Sequence, residues 1–163
     1  MKLMIASDIH GSAVWCGRLL EAWRREAPAR LILLGDLLYH GPRNDLPEGY
    51  APKAVIPMLD EIAPHLLCVR GNCEAEVDQM VLSFPVMADY AALLVDGHAV
   101  YATHGHVSHE GNPPPLQAGD LLLCGTTTFP AATATKASPT STPCCPRPRR
   151  RSCACCEPAI WPA

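Results

Sequence analysis

Asp8-Ile9-His10 stands at the end of an apolar run, Leu3-Met4-Ile5-Ala6. A second run, Leu31-Ile32-Leu33-Leu34, opens into Gly35-Asp36, and a third, Leu66-Leu67-Cys68-Val69, opens into Arg70-Gly71-Asn72. His104 follows a further strand-like segment, Ala99–Thr103. Carboxylates, neutral imidazoles and amides complete the shells of divalent cations without excess negative charge. Strand-like segments that each release such a side chain at their exit imply a paired-metal site, one that activates water against phosphate esters. Asp8 and His10, two apart, can converge on one ion. Asp36 follows a glycine that permits a tight turn, which suits a bridging carboxylate. Asn72 offers a neutral carbonyl oxygen. Taken singly, each has an ordinary reading: a helix cap or turn for the aspartates and Asn72, a satisfied core or surface position for His104. Their order and shared placement carry the inference.

Several elements must hold these side chains in place. Lys2–Ala6 reads as a strand. Val14–Arg25 reads as a helix with Val14, Leu19, Leu20 and Trp23 on one face. Arg30–Leu34 is continuously apolar, as expected of a strand buried on both faces. Pro52–Ile62 is expected to be a helix that turns Val55, Ile56, Met58, Leu59 and Ile62 inward, followed by a strand at His65–Val69. Ala91–Val95 and Ala99–Thr103 flank Asp96-Gly97, a two-residue hairpin signal, and Asp120–Cys124 is a last strand. Strands alternating with helices, then a hairpin, predict an α/β layered fold with ligands at the carboxyl ends of strands. His65 and His98 read as strand-start and turn residues, and His40, His106 and His109 as exposed or supporting groups.

The 163 residues suffice for one domain with a real core, and the 48% hydrophobic content is ordinary. A net charge of −3 implies no bulk attraction to nucleic acid or to an anionic membrane. No apolar stretch reaches membrane-spanning length. Met1-Lys2 leads directly into the first strand with no room for a signal peptide, so a cytoplasmic location is expected. Cys16, Cys68, Cys73 and Cys124 read as reduced thiols among apolar neighbours. The five cysteines from Cys144 to Cys156 lack zinc-site spacing. Composition changes near residue 130: from 131 to 163 Leu, Val, Phe and Met vanish. That segment is expected to be a disordered tail, and Arg149-Arg150-Arg151 within it a solvated patch.

Asp8-Ile9-His10, Gly35-Asp36, Gly71-Asn72 and Thr103-His104-Gly105-His106 resemble, in order, the motifs of the calcineurin-like metallophosphoesterases. The stretches His40–Asn44 with Leu46–Pro52, and Val69–Glu74 with Glu76–Met80, make the resemblance closer to the small bacterial YfcE-like phosphodiesterases. The resemblance covers about residues 1–130. It implies a metallophosphoesterase-type layered β-sandwich flanked by helices (α-β-β-α), and two divalent ions, usually manganese. Asp8, His10 and Asp36 would hold the first ion; Asp36, Asn72 and His104 would hold the second. A metal-bridging hydroxide would then hydrolyse a small phosphodiester. Cys73 stands where many relatives place a histidine that protonates the leaving group, so acidic leaving groups such as aryl esters are expected to be preferred. Arg43 could clamp a phosphate, with Asn44 beside it, or be an exposed loop arginine.

The chain departs from the family where Gly-His-x-His is expected. It reads Gly125-Thr126-Thr127-Thr128-Phe129-Pro130. Loss of two imidazoles should weaken metal binding, since even a supporting partner is worth about 10–100-fold. The domain is therefore expected to be truncated after residue 130, with 131–163 an out-of-frame read of a GC-rich coding strand. Uncovered sheet edges would be an aggregation hazard and would let two copies pair as a homo-oligomer. The competing expectation is a metal-poor remnant of the same fold that serves, if at all, as an interaction module. A nucleotide-binding module is disfavoured, because no Gly-x-Gly-x-x-Gly or Walker loop is present.

Overall fold

The structure is a computed structural model that describes residues 2–125 and the backbone of 133–136 and 160–161. Elements run β1 (Leu3–Ala6), α1 (Ala13–Glu26), β2 (Arg30–Leu33), α2 (Pro52–Asp60), a 3-10 turn (Ala63–His65), β3 (Leu66–Cys68), α3 (Glu76–Val81), β4 (Ala91–Val95), β5 (His98–Thr103), β6 (Leu121–Cys124), β7 (Thr133–Lys136) and β8 (Ile160–Trp161). One sheet has the order β3-β2-β1-β8, with β1, β2 and β3 parallel; the other has the order β4-β5-β6-β7. In the second sheet β5 and β6 are parallel, while β4 and β7 run antiparallel to their neighbours.

Period-two alternation along β2 explains why it is apolar at every central position. Leu31 and Leu33 face a core shared with Leu19, Leu20, Val55 and Leu59 of α1 and α2. Ile32 and Leu34 face the other way, against Ala102 and Leu123 of the second sheet. The first sheet is thus buried on both faces, by helices on one side and by the second sheet on the other, as the sequence implied. The hairpin forms as expected: Asp96 (φ +51°) and Gly97 (φ +83°) are both left-handed, the conformation a two-residue turn between right-twisted strands requires.

Some expectations are corrected. Val14 is 36% exposed and belongs to no core. Helical geometry puts it nearly opposite the stripe of Cys16, Leu19, Leu20 and Trp23, and the buried members of α1 are Cys16, Leu19, Leu20 and Ala22. His65 closes the 3-10 turn rather than opening β3, and His98 is the first residue of β5 rather than a turn residue. α3 was not foreseen: Val77, Met80 and Val81 have helical spacing, but a six-residue helix is too short for the period to stand out, and all three are exposed. Its start is fixed by a polar contact, the Ala75 amide donating to Asp78 Oδ2 at 2.8 Å. The disorder and out-of-frame origin expected for 131–163, like its five cysteines and the arginine run, fall outside the described residues. Only β7 and β8 within that segment are described, both paired as strands.

Candidate metal centre

Four strand exits meet at one end of the two sheets. The chain leaving β1 continues to pair with the chain leaving β2: the Asp8, His10 and Gly11 amides donate to the carbonyls of Gly35, Asp36 and Leu37 at 3.0, 2.8 and 2.8 Å. These bonds hold Asp8, His10 and Asp36 at φ of +59°, +49° and +57°. Left-handed backbone costs a non-glycine residue roughly 1–2 kcal/mol and persists only where its surroundings over-determine it. Three of the five non-glycine residues so strained among the described residues are therefore the three expected at the first ion.

Each ring is oriented by a carbonyl. His10 Nδ1 lies 2.8 Å from the Tyr39 oxygen and His104 Nδ1 lies 2.7 Å from the Leu34 oxygen. A carbonyl only accepts, so Nδ1 donates its proton and Nε2 of the neutral ring presents a lone pair. His10 Nε2 then faces Asp8 Oδ1 at 3.3 Å and Asp36 Oδ2 at 3.7 Å. His104 Nε2 faces Asn72 Oδ1 at 2.9 Å and Asp36 Oδ2 at 3.6 Å. All five expected ligands are therefore brought together, with Asp36 between the two histidines.

Electron-rich atoms point at electron-rich atoms throughout. Asp8 Oδ1, His10 Nε2 and Asp36 Oδ2 are buried and have no hydrogen-bond partner. Such groups are costly unless a cation lies among them. Asp8, Asp36 and His104 can each offer a ligand atom within 4.8 Å of the others, and so can His10, Asp36 and Cys73. Asp36 belongs to both groups. The donor set, carboxylate oxygens with imidazole nitrogens, fits a divalent metal. Without a cation, a proton occupies the place: the Asp8 carboxylate, with Tyr39 and Asp36 and against burial, raises His10 to about 9. Burial pushes Asp8 upward, but His10, Ser7 and His104 together hold it below the usual carboxylate value.

An open cavity of about 710 Å³ adjoins the centre, lined among others by Asp36, Tyr39, Arg43, Asn44, Cys73 and His106. Arg43, Asn44 and Cys73 thus line one cavity. Asn44 Nδ2 donates to the His40 carbonyl at 2.9 Å and so shapes the loop that carries Arg43. Burial, then the Asp36 charge, pushes the Cys73 thiol up to about 12. His106 is lowered by burial, then by His104. Gly125 lies against Ser7 and Leu34 at the exit of β6, and Thr126–Thr128 after it lie outside the described residues.

Glu74 was missed as a candidate. Its buried carboxylate accepts from the Asp36, Leu37 and Gly71 amides. The sole signal in the sequence is an acidic residue two positions after Asn72, which is indistinguishable from a solvated turn residue.

The sequence profile of the calcineurin-like phosphoesterase superfamily domain matches residues 1–135. The chain belongs to this superfamily. It is 48% identical over 132 residues to phosphodiesterase YfcE of Escherichia coli K12, covering 81% of this chain and 72% of that protein. YfcE of Escherichia coli O157:H7 matches with the same identity and coverage. The solved structure of YfcE, described as a phosphoesterase from E. coli, superposes with a TM-score of 0.72 at 48% identity over 74% of this chain. The match spans 66% of that solved chain, just under two thirds. Superfamily and fold are those the motifs implied: an α/β protein whose sheets are flanked by helices.

Proposed function

We propose that this chain hydrolyses small phosphodiesters using two divalent cations, manganese by the resemblance. Asp8, His10 and Asp36 would hold one, and Asp36, Asn72 and His104 the other. The observation that carries the reading is the convergence of Asp8 Oδ1, His10 Nε2 and Asp36 Oδ2, buried and without partners, at the exits of adjacent parallel strands. The phosphodiesterase named among its relatives supports it. When bound, such cations lower the pKa of water and neutralise charge that builds on the phosphoryl oxygens.

The chain's own residues supply the rest. The Tyr39 and Leu34 carbonyls lock both imidazoles with Nε2 inward. Arg43, on the cavity wall, offers a planar fork of N–H donors to the phosphate. Cys73 lines the same cavity with a thiol that holds its proton tightly. General acids work best with a pKa near the operating pH, so Cys73 is a poor donor to a departing alkoxide. Substrates whose leaving group needs no proton, such as aryl diesters, are therefore favoured. Turnover is weak, because threonines stand at 126–128 where the family pattern has two histidines. A cytoplasmic location accords with the four free cysteines among the described residues. No helix among the described residues is long and apolar enough to cross a membrane.

The test is manganese content together with hydrolysis of bis(4-nitrophenyl) phosphate and of a dialkyl phosphate. Two bound ions and measurable cleavage of the aryl ester alone are expected. No bound metal and no turnover would favour the metal-poor remnant, and equal rates on both esters would remove the role given to Cys73.

A further inference from the structure

We infer that Glu74 is the positioning residue that presets the metal cradle, tying the exit of β2 to the exit of β3 before any cation arrives. The inference rests on the proposed metal site. Glu74 Oε2 accepts from the Asp36 amide at 2.9 Å and from the Gly71 amide at 2.5 Å, while Oε1 accepts from the Leu37 amide at 2.7 Å. Two of those three donors lie 37 and 38 residues away in sequence, so this is no local turn cap. The contact is reciprocated: Asp36 Oδ1 accepts from the Cys73 amide at 2.8 Å. Three hydrogen bonds thus cross between the loop bearing Asp36 and the loop bearing Asn72, and the Gly71 bond fixes Glu74 within its own loop.

The two loops also touch without side chains between them. A Cβ on Gly35 would collide with the Gly71 backbone, and one on Gly71 would collide with Asp36 Oδ1. Among the described residues, Glu74 is therefore the one carboxylate that binds three amides at this junction. It is 6% exposed and belongs to neither group of ligand atoms that converge within 4.8 Å. It acts on the cations through Asp36 and Asn72, which it sets at a fixed separation. Removing one of its oxygens leaves a buried N–H facing an N–H, at the residue already held in left-handed backbone.

Glu74→Gln tests this. Mn2+ affinity, read by titration calorimetry on the full chain, should fall about 10–100-fold while circular dichroism shows a folded protein. Asp60→Asn is the control, because Asp60 also holds a loop, through the Ser83 amide and hydroxyl, and neither residue bonds to a candidate ligand. It should lose stability and keep its affinity. Unchanged affinity in folded Glu74→Gln, or an equal loss in Asp60→Asn, overturns the inference and leaves the proposed function standing. A wild-type chain that binds no Mn2+ overturns both. If Glu74→Gln does not fold, amide exchange on the metal-free wild type decides. Slow, matched exchange at Asp36, Leu37 and Gly71 supports presetting; protection gained only on adding Mn2+ overturns it.

Discussion

Asp36 faces two different environments with its two carboxylate oxygens. Oδ1 accepts the Cys73 amide and stabilises the loop; Oδ2 lies buried between two imidazole nitrogens with no donor. Replacing it by asparagine separates these roles. The amide oxygen of Asp36→Asn can still accept from Cys73, while its new N–H2 offers no lone pair to a cation and meets the proton that His10 holds in the metal-free chain. We expect the metal-free variant to stay folded with a modest loss of stability. Its Mn2+ affinity should fall by at least about 100-fold, more than an indirect partner would lose. Chemical denaturation with and without EDTA, beside calorimetry, reads both quantities. The same logic explains why Asp8, His10 and Asp36 are strained: relaxed backbone would turn their side chains away from one another.

Where elements meet, the close approach of the β2 and β3 exits sets the site. Gly35 adopts φ +95° against the Gly71 backbone, so a side chain there is excluded by conformation and by space together. Gly35→Ala should cost upwards of about 2 kcal/mol in urea unfolding, well beyond an ordinary glycine substitution. The second sheet has its own fastening. Asp120 accepts from the Ala99 amide at 2.9 Å and the Gln117 amide at 2.8 Å, which ties the segment before β6 to the start of β5. Those bonds, that to Gln117 foremost, hold its carboxyl below the usual value. A carboxylate with a lowered folded pKa contributes stability that is complete above its unfolded pKa and is lost as pH falls through the folded one. Asp120→Asn should therefore destabilise the protein at neutral pH, and the gap to wild type should close as the solution is acidified below the ordinary carboxylate range. Thermal unfolding of both proteins from pH 7 to pH 3 checks this.

For the molecule as a whole, the unpartnered acceptors at the centre predict that the folded state is metal-linked. A ligand that binds only the native chain stabilises it by about 2.7 kcal/mol at a hundredfold excess over Kd. For a chain of this size that corresponds to a rise of roughly 5–10 °C in the unfolding midpoint. Differential scanning with Mn2+ and then EDTA should show the rise and its reversal. A midpoint indifferent to both would mean that the acceptors are satisfied by protons alone, as the elevated His10 allows. The first sheet sits between two cores, so coupling from the site to the fold has a direct route. Asp36 and its neighbours are the continuation of β2, whose Leu31, Ile32 and Leu33 are fully buried.

The order of Asp-x-His, Gly-Asp, Gly-Asn and His-Gly-His at strand exits was enough to read the superfamily, the layered α/β class and the five side chains that gather. Those are properties of local pattern, since a side chain's distance from its own strand end is written in the chain. The hairpin at Asp96-Gly97 was legible for the same reason. Val14, α3 and Glu74 were not. Whether an apolar residue is buried, or whether a carboxylate binds amides 37 and 38 residues away, depends on which elements pack together. The tautomers of His10 and His104 likewise follow from carbonyls 29 and 70 residues distant, brought within reach only when the strands pair. Residue type and spacing determined which groups could hold cations; the parallel pairing of β1, β2 and β3 decided that their free lone pairs face one another, because only that juxtaposition leaves them without donors.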